Sequence, residues 1–367
     1  MRRQAMSCND QTHRKYWPLP IPLVLSESAN AHPRVAAYVD HMIEHYNNFT
    51  CIRFDRNASA LNGTQYLLAT ADDYSCVSYI GMRTKFAGGP QEIKVGCDSY
   101  KAVVHEFIHA LGVLHEVQRT DRDKALTLHW ENINRRSYYR SSPGVRHIGP
   151  YDIGSIMHPA RTQYAIDAVK GAFVPKDASL ADSVGMARDF SFWDTRRLNE
   201  LYCNDFCADN EFDCGDVGYQ NPNDCTSCIC PDGIGGEHCV NAVPVPRHCG
   251  ALVTAKRDWN QFWIRGTRRR PKPDDCVFVI QAPENLHVEF EVRNLTLIET
   301  ADAYRCKYEN IEIRTDNFAT TAPVFCGNIG SRAFVSASNR LMFFYRLKRS
   351  FGYSRRYVFH YRIKPTN

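Results

Sequence analysis

The stretch from His105 to Arg119 reads HEFIHALGVLHEVQR. His105 and His109 are four residues apart, so on a helix they project from one face, one above the other. Gly112 and His115 complete an H-E-x-x-H-x-x-G-x-x-H pattern. Three neutral imidazoles at this spacing suit one Zn²⁺ and leave part of its coordination open to water. Three neutral ligands also leave the ion its full charge, which lowers the pKa of a bound water and polarises a carbonyl. Glu106 sits one residue round the helix from His105. It is poorly placed as a fourth ligand and well placed to take a proton from that water. Gly112 is where the chain must turn for His115 to reach the same centre, and glycine tolerates positive φ there.

The surrounding pattern predicts a helix over 101–111, with Ala102, Val103, Phe107, Ile108 and Leu111 offering apolar surface. Beyond it run Glu116 and Arg119, then Asp121-Arg122-Asp123 and Trp130-Glu131-Asn132-Ile133, and later Ser155-Ile156-Met157-His158. This set resembles the astacin family of zinc endopeptidases, within the metzincins, over Trp17 to about Cys203. The resemblance implies an α+β protease domain of two subdomains around a zinc cleft. It implies His105, His109 and His115 as ligands of one zinc ion, and Glu106 as general base. Met157 would form an apolar floor beneath the metal. Glu116 would meet the amino terminus of the mature enzyme in a buried, water-linked ion pair once a propeptide is removed. It also implies that Cys51 pairs with Cys203 and Cys76 with Cys97.

One position departs from the family pattern. Astacins usually carry a Tyr directly after the Met-His pair, a displaceable zinc ligand thought to stabilise the tetrahedral intermediate. Here that position is Pro159, which has no side-chain donor. Tyr164, five residues on, falls where an aromatic packing residue is usual. Losing an oxyanion donor costs on the order of a hundredfold in rate, so slowed proteolysis is the expectation.

The chain has 367 residues, enough for two or three domains. Its net charge of +5 is small for that length, and the basic residues are dispersed. The densest run, Arg265 to Lys272 (RGTRRRPK), reads as a solvated loop rather than a glycosaminoglycan or nucleic-acid patch. No apolar run is long enough to span a bilayer. Fifteen cysteines indicate an oxidising compartment. N-glycosylation sequons at Asn48, Asn57, Asn62 and Asn294 agree with it. The first residues, MRRQAMSCND, carry no hydrophobic signal core. The expectation is a secreted protein whose sequence starts downstream of its signal and of most of its propeptide, with Arg2-Arg3 as a remnant of a basic processing site. Cys8 is the odd cysteine. Its partner would lie in the missing segment or another chain, or its thiol would approach the zinc; the first reading is favoured.

Residues 1–15 are read as a propeptide remnant or extension and 16–203 as the protease domain. Within the latter, Arg34 to Phe49 has helical apolar spacing, and Cys51–Phe54 and Gln65–Ala69 read as strands. Residues 204–240 hold six cysteines, at 207, 214, 225, 228, 230 and 239, too dense for a core-stabilised domain. The ending C-x-C-x8-C resembles an EGF-like module; the close spacing of Cys225 and Cys228 leaves the pairing open, with zinc binding as the runner-up. Residues 241–248 (NAVPVPRH) read as a Pro-rich linker. Residues 249–364 show period-2 apolar runs separated by turn signals, hence a β-sandwich. Cys249, Cys276, Cys306, Cys326 and the Cys306-x-Tyr308-Glu309 run resemble a CUB domain, with pairs Cys249–Cys276 and Cys306–Cys326. Many CUB domains bind Ca²⁺ through an Asp after that Tyr. Glu309 stands there, and no companion carboxylates are identified, so a calcium site is not assigned.

The leading function is a secreted zinc endopeptidase hydrolysing extracellular or matrix proteins, with a zinc-bound water activated by Glu106. The EGF and CUB modules would contact substrate or matrix. Protease, EGF and CUB in this order resemble tolloid-related and, more closely, nematode astacins. Arg83, Lys85 or Lys94 would favour acidic substrate side chains after the scissile bond. The alternative is a catalytically weakened or inactive binding scaffold, decayed at Pro159. An intracellular metal-binding protein is opposed by the cysteines and sequons. No nucleic-acid partner and no membrane span are expected.

Overall fold

The computed structural model describes residues 14–57, 63–187, 189–243, 250–266, 275–298, 306, 308–316, 318–347 and 355–365. The expectations for Arg2-Arg3, Cys8, Asn62 and Cys249, and for most of the Arg265–Lys272 run, lie outside these residues.

The amino-terminal half is built on a five-stranded sheet. Its order is Phe54–Asp55, Ile21–Leu25, Tyr66–Thr70, Pro90–Val95 and Cys76–Ser78. The first four strands are parallel and the last, an edge strand, is antiparallel. Parallel strands need crossover connections, and helices cover their faces. Helix Val35–Phe49 buries Val35, Val39, Met42 and Tyr46 at helical spacing. Helix Tyr100–Ala110 buries Val103, Val104, Phe107 and Ile108. Both join Ile21, Leu23, Leu67, Ala69, Ile93 and Val95 in one core. Cys51 to Arg53 are outside any strand, because Cys51 is bonded to Cys203 and Thr50 closes the helix instead.

The second part of this half is less regular. An antiparallel pair of short strands, Leu126–Leu128 and Phe173–Pro175, and several 3₁₀ turns surround a smaller core of Val117, Tyr139, Phe173 and their neighbours. Helix Phe192–Tyr202 returns the chain to the first core through Leu198, Leu201 and Tyr202. The Cys51–Cys203 bond, 152 residues apart, joins the start of this unit to its end. Closing so long a loop removes much entropy from the unfolded chain. Cys76–Cys97 ties the edge strand to the segment before helix Tyr100–Ala110.

The cysteine-rich segment pairs Cys207–Cys225, Cys214–Cys228 and Cys230–Cys239. It carries two small hairpins, Tyr219–Asn221 with Asp224–Ile229 and Ile234–Gly235 with Asn241–Ala242. All six sulfurs are used in disulfides, so none is left for zinc.

The carboxy-terminal region is a two-sheet sandwich. One sheet orders Gly250–Thr254, Asp275–Gln281, Arg340–Leu347, Glu309–Arg314 and Val324–Phe325; the other orders Asn260–Gly266, Arg355–Ile363, Val288–Thr296 and Asn328–Val335. Phe262, Phe278, Phe290, Phe343 and Phe359 interlock between them. Cys306–Cys326 is formed, and Cys276 is also disulfide-bonded. Strand Val288–Thr296 begins with the alternation expected of a half-solvated strand. Strand Glu309–Arg314 does not, being buried at every position. Its second face is covered. Ser183 Oγ donates to Ala322 O and accepts from Val324 N, both at 3.0 Å. On the same sheet Val277, Val279, Met342 and Phe344 pack on Ile234 and Cys239 of the cysteine-rich segment.

Glu309 is fully engaged inside the sandwich. Oε1 accepts from the hydroxyls of Tyr345 and Tyr357 at 2.8 Å each, and Oε2 from the amide of Ile298 at 2.7 Å. Those three donors do for the carboxylate what a cation would. Among the described residues the one group of three or more potential ligands that converge is the histidine trio.

Candidate metal centre

Helix Tyr100–Ala110 starts at Ser99, whose hydroxyl accepts from the Ala102 amide. It ends at Leu111, and Gly112 takes φ +103°, a conformation that suits glycine and swings the chain back. Two of its last carbonyls are satisfied from outside. The Trp17 indole donates to Ala110 O at 3.0 Å, and the Tyr202 hydroxyl to Leu111 O at 2.9 Å. The helix end is therefore held from both sides of the protease half.

This geometry brings the three imidazoles together. Ring centroids are 4.5 Å apart for His105–His109 and for His109–His115, and 5.2 Å for His105–His115. His115 Nε2 lies 3.0 Å from His109 Nε2 and 3.3 Å from His105 Nε2. Each Nδ1 faces an oxygen: Ile156 O at 3.0 Å for His105, Val113 O at 2.7 Å for His109, and Gln118 Oε1 at 3.3 Å for His115. These contacts assign the proton to Nδ1 in all three rings. Three Nε2 lone pairs then converge with no proton among them. That arrangement is repulsive by itself and becomes favourable around a cation, with the oxygens orienting each ring. The donor set fits Zn²⁺. Burial holds all three imidazoles below their usual pKa, His115 at about 3, so they are neutral.

Glu106 is buried on the same helix. Desolvation raises its carboxyl to about 7, with hydrogen bonding from Ser78 pulling the other way. The Ser78 hydroxyl also donates to the Glu106 carbonyl at 2.8 Å, fixing the edge strand against the helix. The cleft so formed is lined by Ser78, Lys101, Glu106, Tyr138, Pro159 and Tyr164 together with the three histidines.

Met157 is fully buried, in a turn anchored by Asp194. One Asp194 oxygen accepts from the Ser155 hydroxyl at 2.5 Å and the other from the Ile156 amide at 2.8 Å. The turn in turn presents Ile156 O to His105, and Met157 O accepts from the Glu116 amide at 3.1 Å. Glu116 is buried too, yet its carboxylate faces Arg197, at 2.8 and 2.9 Å, and accepts from the Asp152 amide at 2.8 Å. The expected amino-terminal partner lies outside the described residues. A guanidinium fork satisfies both carboxylate oxygens where a single ammonium would engage them less fully.

Asp194, Arg197, Ser78 and Tyr138 escaped the sequence reading. Ser191 and Asp194 form a reciprocal capping box at the start of helix Phe192–Tyr202. That S-x-x-D spacing was the available signal for Asp194. Of the sequon asparagines, Asn48, Asn57 and Asn294 are exposed. The Thr50 hydroxyl of the first sequon is buried and donates to Tyr46 O at 2.7 Å.

Residues 9–203, more than half of the chain, match the model of the peptidase family Astacin, and residues 261–357 match the CUB domain. Zinc metalloproteinase nas-27 of Caenorhabditis elegans is 27% identical over 335 residues, covering 86% of this chain and 76% of the relative. Zinc metalloproteinase nas-26 of the same organism is 32% identical over 268 residues, covering 68% and 61%. Zinc metalloproteinase dpy-31 of Teladorsagia circumcincta is 29% identical, covering 84% and 51%. The chain thus spans between half and three-quarters of these relatives' lengths. High choriolytic enzyme 1, a hatching zinc-protease of Oryzias latipes, aligns at a TM-score of 0.46 with 28% identity, covering 54% of this chain and 98% of that one. By the family match across its amino-terminal half, in which the three histidines converge, the chain belongs to the astacin family of zinc metallopeptidases and carries a CUB domain behind the peptidase unit.

Proposed function

We propose that this chain is a secreted zinc-dependent endopeptidase acting on extracellular or matrix proteins. His105, His109 and His115 hold the metal and Glu106 is the general base. One observation carries the reading: the three imidazoles bring their ligand atoms within 4.8 Å of one another in a cleft that the buried Glu106 also lines. When bound there, zinc would supply Lewis-acid chemistry for the scissile carbonyl and the attacking water. A Glu106 carboxylate oxygen would take a proton from the attacking water and hand it to the leaving amine nitrogen. His105, His109 and His115 keep their orientation through their Nδ1 partners, and Met157 closes the floor with apolar surface. Helix and edge strand, joined through Ser78, form the wall along which an extended substrate lies.

The disulfides and the exposed sequon asparagines support the secreted location. Residues 204–240 are read as an EGF-like module, and the local Cys230–Cys239 closure within its C-x-C-x8-C ending supports that reading. The docked sheet face of the CUB domain supports a positioning role, with its outer face left for substrate or matrix. The binding-scaffold reading rests on Pro159, which lines the cleft where a hydroxyl is customary. The test is metal analysis beside digestion of a quenched peptide. One zinc per chain, with hydrolysis lost on chelation and restored by zinc, is expected. Zinc at one per chain without chelator-sensitive hydrolysis would favour the scaffold.

A further inference from the structure

Pro159 leaves the cleft without the hydroxyl that usually follows the Met-His pair, so the other tyrosines near the histidines matter. The Tyr151 hydroxyl is bound to His158 Nε2 at 2.8 Å. The Tyr139 hydroxyl donates to Gln163 O at 2.6 Å. Tyr164 also lines the cleft; its hydroxyl accepts from Arg135 Nη1 at 3.0 Å, which keeps its own proton available but ties the oxygen to the exposed Arg135 side chain. Tyr138 differs from all of these. Among the described residues its hydroxyl has no hydrogen-bond partner, and the oxygen is not sealed in the interior.

The ring that carries this hydroxyl is fixed. It lies 4.4 Å from the His115 ring, tilted by 42°. Tyr164 and Tyr139 meet it edge-on at 4.8 and 5.2 Å. The residue belongs to the 3₁₀ turn Arg136–Tyr139, and it lines the same cleft as Glu106, His105 and Pro159. Three aromatic neighbours hold the ring in one orientation, so a hydroxyl at its tip is a preorganised donor. Preorganised donors aimed at developing charge are worth more than donors that must first reorient.

We infer that Tyr138 takes the place of the missing hydroxyl. From the wall beside His115 its O–H donates to the scissile carbonyl oxygen as negative charge develops there. The inference rests on the peptidase reading above. It makes Tyr138 a catalytic residue and makes Pro159 a tolerated change rather than a decayed site.

The test compares the zinc-loaded full chain with Tyr138→Phe, which keeps the ring and removes only the oxygen. Three quantities are measured: zinc content, kcat and KM on a quenched peptide, and calorimetric affinity for a phosphinic pseudopeptide that mimics the tetrahedral species. The expected result is unchanged zinc content, a KM within about twofold, and kcat lowered by about ten- to a hundredfold. Phosphinate affinity falls by about tenfold or more. In Tyr138→Phe/Pro159→Tyr, a hydroxyl returns from the other wall and most of the kcat loss is recovered. Unchanged kcat together with unchanged phosphinate affinity would overturn the inference, as would a loss that tracks lost zinc. A wild-type protein with no zinc-dependent hydrolysis would remove the peptidase reading instead, and phosphinate affinity would still decide Tyr138.

Discussion

In the cleft, Glu106 is buried beside three imidazoles, and Ser78 is the group whose hydrogen bonds oppose the burial that lifts its carboxyl to about 7. In the sandwich, Glu309 and Glu312 are buried more deeply, and each is saturated with donors. Glu312 accepts from Arg314 at 2.7 Å, Arg346 at 2.6 Å and the Ala322 amide at 2.9 Å. Burial favours its neutral form, but the two guanidiniums outweigh it and hold the carboxyl down at about 2. The contrast separates two uses of a buried carboxylate. A saturated one is a fastening, costly to break and chemically silent. An under-supplied one, facing a cleft, is available to exchange a proton.

The comparison breaks first, and with the largest effect, at the fastening. Glu312→Ala removes the buried carboxylate that Arg314 and Arg346 share and is expected to destabilise the chain by about 3–5 kcal/mol. Denaturant unfolding measures this, and small-peptide hydrolysis at a temperature where the variant stays folded should be unchanged. Acid probes the same carboxylate. Its folded pKa lies below its unfolded value, so its stabilisation is complete above about pH 4.5 and fades as pH falls towards 2. That window is worth on the order of 3 kcal/mol, read from unfolding midpoints between pH 5 and 2. A smaller effect belongs to Tyr357→Phe, which removes one of three donors to Glu309. It should cost about 1–3 kcal/mol in unfolding free energy and leave zinc content alone. The smallest is in the cleft. Pro159→Tyr adds a second hydroxyl opposite Tyr138, so kcat on a good peptide is expected to rise by only about threefold with the fold intact; a rise approaching the roughly hundredfold worth of a lone oxyanion donor would show that Tyr138 supplies none.

The parts legible in the sequence are those set by local spacing. An i, i+4 pair of histidines shares a helix face whatever surrounds it, and Gly112 marks the turn that brings His115 back. Period-2 runs announced the sandwich, because alternation is a property of each strand alone. Helix ends were read within a residue: 101–111 was expected and Tyr100–Ala110 is seen. What could not be read depends on distant chain. Tyr138 reaches His115 through a 3₁₀ turn, and Asp194 reaches the Met157 turn from a helix some forty residues later in sequence. Strand Glu309–Arg314 has polar residues on its second face, which reads as solvated, yet Asn310, Glu312 and Arg314 are buried there and line a cavity together with Ser183 and Met186 of the peptidase unit. Glu116 shows the same limit. A buried acid near the metal helix announces a partner, and only the fold identifies Arg197.

The central claim is that Glu106 is the proton acceptor of a zinc peptidase. Its most direct test is quenched-peptide digestion by the zinc-loaded protein beside Glu106→Ala. The account predicts chelator-sensitive hydrolysis in the parent. In Glu106→Ala, with equal zinc content and an unchanged unfolding midpoint, it predicts a loss of about a hundred- to ten-thousandfold. Equal rates in the two proteins, insensitive to chelation, would contradict it.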